Sequence, residues 1–152
     1  MRINVVGCHC TWTKSLSSSY FINDDCVLDV PSGSGKKLIN DFDIEKVKYI
    51  FITHFHSDHF LDMHMFLEQI SFACPHKVTV IAPKGCKEKL VELFKLLSIS
   101  YLEKFLEDYV SFIDCENGKK IIVGPYKVKI LKMSHGIMDA YGYIFEEGDK
   151  KI

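Results

Sequence analysis

The stretch Thr53-His54-Phe55-His56-Ser57-Asp58-His59 concentrates ligand chemistry, with three histidines and one aspartate inside six residues. Imidazole nitrogens and carboxylate oxygens are donors that zinc binds at about 2.0–2.2 Å. His54 and His56 stand two positions apart, so in extended chain they point the same way. Asp58 and His59 follow the turn and approach from another side. The spacing suits two ions close together, with His54 and His56 on one and Asp58 and His59 on the other. A lone histidine at any of these positions would read as a hydrogen-bonded surface residue. Four ligand-type residues directly after a strongly apolar run are hard to explain as solvated loop. Zinc is the default ion, and Mn or Fe also suits a mixed nitrogen and oxygen site.

The elements that must position these residues are legible around them. Val47 to Ile52 is rich in β-branched and aromatic residues and reads as a buried strand. The ligand-type residues therefore sit at a strand's C-terminal end, where an open α/β sheet places its site. Phe60 to Phe72 has helical spacing and predicts one helix, ended by Cys74-Pro75-His76 because proline cannot continue it. His64 on that helix reads as a partly buried polar residue. Upstream, Arg2 to Val6, Tyr20 to Ile22 and Cys26 to Val30 read as strands, the last two joined by an Asn23-Asp24-Asp25 turn. Cys8 to Ser19 is a polar, Ser-rich loop.

Pro31-Ser32-Gly33-Ser34-Gly35-Lys36-Lys37 invites a phosphate-loop reading, but Val30 stands where the first glycine is needed and Lys37 where Ser or Thr is needed. A turn with glycine at positive φ is the expectation there, and Lys36 to Asp43 reads as a short helix or turn. Downstream, Val78 to Ile81 predicts a strand, Cys86 to Leu97 a helix, Ile99 to Val110 a second short helix and Val110 to Cys115 a strand. Asn117-Gly118 is a hairpin signal. Lys120 to Val123 and Tyr126 to Met133 read as strands joined at Gly124-Pro125, with lysines marking a solvated face. Tyr141 to Phe145 reads as the next strand, and Glu146 to Lys151 as a hydrophilic turn.

At 152 residues the chain is long enough to bury a core as one domain, 1–152. Its 47% hydrophobic and 26% charged residues place it with ordinary globular proteins. A net charge of −1 excludes a global pull toward nucleic acid or anionic membrane. The six cysteines come without a secretory signal, and no apolar run approaches the roughly 20 residues of a membrane helix. The expectation is a cytoplasmic protein with reduced thiols and no membrane partner. Cys8-His9-Cys10 lacks a matching second pair and reads as a loop with buried or free thiols.

The T-H-x-H-x-D-H motif after a buried strand resembles the metallo-β-lactamase superfamily. Ser17-Ser18-Ser19-Tyr20 ahead of the second strand, the Pro83-Lys84-Gly85 helix start and Gly142-Tyr143-Ile144-Phe145 are similar to its ribonuclease Z-like branch. The resemblance implies an α/β (α+β) αββα sandwich, two sheets face to face with helices outside. The opening strands resemble its first β-hairpin, with Asp29 near the strand's end; the resemblance places the Pro31 to Lys37 loop near the site, and it makes His135 the third ligand of the His54/His56 ion. Asp58 and His59 would help hold a second ion, and Asp58 would also orient the attacking water or pass its proton. The implied activity is that of a metal-dependent phosphodiesterase using a metal-activated hydroxide, with paired ions about 3.5–4 Å apart. A phosphodiester is the implied substrate, RNA among the candidates. Thioester and lactone hydrolases of the superfamily share nearly the same motif. A non-catalytic metal-binding fragment acting in assembly is the alternative of a different class.

The sequence stops before the bridging aspartate and the final histidine of the superfamily pattern. The expectation is therefore a fold incomplete at its C-terminus, with an apolar inner sheet face left open and a second metal position weak or empty. A longer parent protein, a complementing C-terminal half or a homodimer would each complete it.

Overall fold

The computed structural model of the protein describes residues 1–10 and 12–152, so residue 11 of the expected 8–19 loop lies outside the described residues. Strands β1 (Ile3–Gly7), β2 (Ser19–Ile22) and β3 (Cys26–Leu28) form an antiparallel meander. Helix α1 (Ser34–Asp41) and a 3-10 turn (Ile44–Lys46) lead to β4 (Tyr49–Phe51), which runs parallel to β3. Helices α2 (Ser57–Phe60) and α3 (Met63–Ala73) lead to β5 (Val78–Ala82). Helices α4 (Cys86–Leu96) and α5 (Leu102–Tyr109) lead to β6 (Val110–Asp114). These six strands form one sheet in sequence order. Strands β7 (Lys120–Val123), β8 (Tyr126–Met133), β9 (Ala140–Glu147) and β10 (Lys150–Lys151) form a second, wholly antiparallel sheet.

The central strands of the first sheet are continuous apolar runs because both of their faces are covered. Ile50 and Val80 face the helices and meet Leu38, Phe66, Leu90 and Leu106. Their neighbours Phe51 and Ile81 point the other way, by the period-two alternation of a strand, and meet Tyr126, Val128, Ile130 and Phe145 of the second sheet. The layers run helices, sheet, sheet. The expected open inner face is therefore not found: Tyr126 and Ile130 are fully buried between the sheets, and Val128 and Phe145 nearly so. What the second sheet leaves uncovered is its outer face. No helix among the described residues is long and apolar enough to cross a membrane.

Two local readings change. The 60–72 segment is two helices, not one. Asp62 N–H bonds to Val30 O at 3.0 Å, and the Asp62 carboxylate accepts from the Gly33 and Gly35 amides at 2.8 and 3.0 Å. Tying that residue to the start of α1 breaks the helical ladder between α2 and α3. Asn117-Gly118 is a tight turn but not a hairpin: β6 pairs with β5, and β7 pairs with β8 in the other sheet. Its bonds reach across to β8, from Gly118 N–H to Ile130 O at 2.8 Å and from Lys132 N–H to Asn117 Oδ1 at 3.0 Å. The turn thus passes the chain from one sheet to the other. The true hairpin is at Gly124-Pro125, where Gly124 has φ 54° and a Cβ would lie 2.6 Å from the Tyr49 hydroxyl.

Both ends of the sheet pair are tied. Far from the histidines, the buried Tyr126 hydroxyl donates to Asp25 and accepts from Asn23 Nδ2 at 2.9 Å. Near them, Tyr141 N–H donates to Thr53 O at 2.9 Å and the Tyr143 hydroxyl to Ile52 O at 2.6 Å. The second sheet therefore grips the backbone that leads into the histidine motif.

Candidate metal centre

Strand β4 delivers Thr53 and His54 at its C-terminal end, and the chain turns immediately at His56. The His56 carbonyl accepts from the His59 and Phe60 amides at 3.0 and 3.1 Å, which closes the single turn of α2. His135 comes from the other sheet, in the loop after β8, held by a turn bond from Met138 N–H to His135 O at 3.1 Å. Gly136 takes φ 58° there, a left-handed conformation that glycine adopts without a Cβ penalty.

His54, His56 and His135 each offer one ligand atom, and these atoms lie within 4.8 Å of one another. His54 Nε2 is 3.1 Å from His56 Nδ1, which is 3.2 Å from His135 Nε2. Ligand atoms about 2.0–2.1 Å from a tetrahedral ion lie roughly 3.3–3.4 Å apart, so the donor set and its spacing fit zinc. His54 is nearly buried, while His56 and His135 are exposed, which leaves an approach from solvent.

The tautomers follow from the acceptors around them. Buried Asp29 accepts from Thr53 N–H at 2.7 Å, from the Thr53 hydroxyl at 2.8 Å and from His59 Nδ1 at 2.7 Å. The Thr53 hydroxyl has one proton and gives it to Asp29. It therefore accepts from His54 Nδ1–H, 3.0 Å away. His54 and His59 are both left with an Nε2 lone pair facing the cluster. Outer-shell carboxylates and hydroxyls of this kind fix the orientation of metal-binding imidazoles.

Burial, and then the neighbouring His59, His135 and His56, lower the His54 pKa to about 4. Its imidazole is thus kept neutral, as ligation requires. Burial pulls His59 down, but its hydrogen bond to Asp29 and the charges of Asp29 and Asp58 together carry it above the ordinary histidine value. Burial pushes the Asp29 carboxyl up against the hydrogen bonds from His59 and Thr53.

Asp58 and His59 sit beside the triad. Asp58 Oδ2 is 3.9 Å from His59 Nε2, wider than two ligand atoms on one tetrahedral ion, so the pair would have to close by about half an ångström to share one. The His59 ring lies 4.1 Å from that of His54. His64 stays outside the cluster, its Nδ1 bonded to Leu61 O at 2.7 Å. Cys8 and Cys10 are exposed free thiols, and among the described residues they join no metal-sized group.

Asp29 and Asp62 are the two buried acids whose roles the local sequence did not disclose. Asp29 was visible only as an acid near a strand end, and Asp62 reads as an ordinary helix residue. The partners of both lie some 24 to 32 positions away, between Val30 and His59 on one side and their own positions on the other.

Thr53→Val removes the hydroxyl that links Asp29 to His54 at nearly constant volume. It is expected to weaken metal binding about tenfold or more, the scale of outer-shell losses, with Thr53→Ser restoring most of it. Competition with a chromophoric chelator would measure both. Equal affinity of the valine variant and the parent would remove Thr53 as a positioning residue.

Comparison with known proteins fits this geometry. The sequence profile of the family described as "Anti-Pycsar protein Apyc1" matches residues 16–152. A ribonuclease Z of Pyrococcus horikoshii is 31% identical over 107 residues, covering 70% of this chain and 33% of the relative. A ribonuclease Z of Staphylococcus saprophyticus is 27% identical over 139 residues, covering 90% of this chain and 44% of the relative. The chain thus spans between a third and under half of the length of these relatives. The crystal structure of human tRNase Z, short form, superposes with a TM-score of 0.77 at 17% identity, covering 99% of this chain and 67% of that one. The likeness establishes the metallo-β-lactamase fold and a ribonuclease Z-like relationship.

Proposed function

The chain belongs to the Anti-Pycsar protein Apyc1 family, and from that membership we propose that it is the metal-binding part of a ribonuclease Z-like phosphodiesterase. The observation that carries this reading is the convergence of His54, His56 and His135 from two different sheets. Sheet packing alone does not call for three imidazoles with their nitrogens turned toward one another. The name of the family makes a role in opposing Pycsar part of the proposal.

His54, His56 and His135 hold one ion, and Asp58 with His59 hold part of a second. Zinc there supplies positive charge against the negative charge that develops on a phosphodiester under attack by water. The chain's own residues do the rest. Asp29 and Thr53 hold His54 and His59 in their ligating tautomers. Asp58, partly buried beside His59, accepts the proton of the attacking water on the carboxylate oxygen that does not face His59 as the new phosphorus–oxygen bond forms. The bond from phosphorus to the leaving oxygen breaks in the same displacement.

The test is metal content together with turnover. Elemental analysis of the purified chain, alongside assays with a bis-aryl phosphodiester, an RNA oligonucleotide and a thioester, separates the readings. Phosphodiester turnover that follows metal content supports the proposal. Thioester turnover alone moves the chain to another chemistry of the superfamily, and stoichiometric metal without turnover of any substrate favours a binding module used in assembly. In a turnover-competent preparation, Asp58→Ala is expected to lower kcat about 100-fold or more, the scale of general acid–base catalysis, with the triad's metal retained. Unchanged kcat would end the proton role of Asp58.

A further inference from the structure

Gly7 ends β1, and the three residues after it are Cys8, His9 and Cys10. The phosphodiesterase reading uses none of them. The 16–18 segment lies so close to this stretch that a Cβ on Gly7 would stand 2.2 Å from Ser17 O and 2.7 Å from Leu16 O. His9 N–H donates to Leu16 O and Ser18 N–H to His9 O, both at 3.1 Å. These two bonds bridge His9 to the 17 position and hold the backbone extended there. Beyond it, the Thr13 N–H and hydroxyl both donate to Cys10 O, at 3.1 and 3.0 Å. The backbone is thus tied on both sides of His9, while the side chains of Cys8, His9 and Cys10 are exposed.

In extended chain, residues two apart share a side, so Cys8 and Cys10 face one way and His9 the other. Their Cα atoms are then about 6.6 Å apart, wider than the roughly 5.5–6 Å at which disulfides are most often found. That spacing suits an ion held between the sulfurs better than a bond joining them. Burial is the ordinary state of a cysteine that only packs, as at Cys26, Cys86 and Cys115, whereas Cys8 and Cys10 are free and exposed. Structural zinc takes four ligands, and among the described residues the two thiols belong to no group of three or more ligand side chains. Cu(I) fits them: soft thiolates select it, and two of them in a line satisfy its coordination. Strand β1 is antiparallel to β2, and β2 to β3, so β1 runs in the direction of β3 and β4. Cys8 therefore leaves the first sheet at the edge where His54 leaves it.

We propose that Cys8 and Cys10 form a two-thiolate binding site for Cu(I), separate from the histidine triad. On binding, two sulfur–copper bonds form and both thiol protons pass to solvent, since the ligand is the thiolate. The copper enters and stays as Cu(I), so no electron is transferred.

The probe is Cu(I) itself, added without oxygen to the reduced chain in competition with a coloured Cu(I) chelator. One ion per chain is expected to be withheld from the chelator, with X-ray absorption showing two sulfur neighbours. Cys8→Ser and Cys10→Ser should each lower the affinity more than about 100-fold, beyond the loss typical of an outer-shell change. Combining them should add little, because either substitution alone already removes the pair. Cys74→Ser should change nothing. Both positions are exposed, and unchanged thermal melting of the variants confirms that the fold is intact. No copper withheld from the chelator, copper held through nitrogen, or equal affinity of either serine variant and the parent would each overturn the proposal. So would one ion per two chains together with a dimer in light scattering, since thiols of two copies would then share it. Zinc content and turnover play no part in this readout, so it stands or falls apart from the phosphodiesterase reading.

Discussion

His56→Ala is expected to strip the triad of its metal. His56 Nδ1 lies 3.1 Å from His54 Nε2 and 3.2 Å from His135 Nε2, so it is the ligand atom that the other two share as neighbour. Removing it leaves two imidazoles without a third, below the number of protein ligands that a catalytic zinc site keeps. The loss of affinity should exceed the 10–100-fold typical of an outer-shell substitution. Equilibrium dialysis with elemental analysis reads it directly. His56 is exposed and makes no core contact, so melting of the metal-free variant should match that of the metal-free parent. Retention of full metal content would mean that the three nitrogens do not share an ion.

Asp29→Ala is expected to be the most destabilising single change near the site. Three hydrogens from Thr53 and His59 converge on a carboxylate that is 3% exposed. Each donor left without a partner costs about 1–3 kcal/mol, less where water can reach it. Asp29 also sits at φ 59°, a left-handed conformation that aspartate and asparagine tolerate and alanine pays for by about 1 kcal/mol. With each donor taken at the low end of that range, the sum is roughly 4 kcal/mol. At about 2–4 °C per kcal/mol for a chain of this size, the melting temperature should fall by about 10 °C. Asp29→Asn keeps the backbone conformation and one acceptor oxygen and should lose about half as much. Scanning calorimetry on metal-free protein separates this from any effect on binding. A shift of the alanine variant by less than about 3 °C would show that the Asp29 network is not a main support of the site.

What was readable in advance was what short-range chemistry specifies. Val47 to Ile52, alternating between two buried faces, could only be an interior strand. The His-x-His-x-Asp-His spacing follows from the turn that ends it. His135 was placeable only through the family resemblance, which expects a histidine at a strand's end followed by a glycine, as in Ser134-His135-Gly136. The features that were not readable depend on chain segments far apart in sequence. Asp62 reads as a helix interior until Gly33 and Gly35 are seen to bind its carboxylate. Asn117-Gly118 announces a tight turn, but a turn signal says nothing about which sheet lies on either side. Glu116 and Lys119, on either side of that turn, form an ion pair at 2.6 Å. The inner sheet face looked open because covering it depends on Tyr126 and Phe145 folding back onto Phe51, a long-range docking with no local mark.

The origin of the three histidines in two sheets also sets an order of events. His56 and His135 are 79 positions apart, and a loop of that length must close before an ion can meet both. Closure is entropically costly, and non-local pairing is the slow part of folding. It is here accomplished by Tyr126, Tyr141 and Tyr143 anchoring one sheet on the other. An ion bound there would therefore not be a template for the fold, as it is in small zinc-nucleated domains. An ion bound by the three histidines would arrive at a finished protein and act afterwards as a fastener between the sheets, stabilising them by mass action according to its free concentration. Metal starvation would then leave a folded, metal-free pool that reloads on resupply without resynthesis.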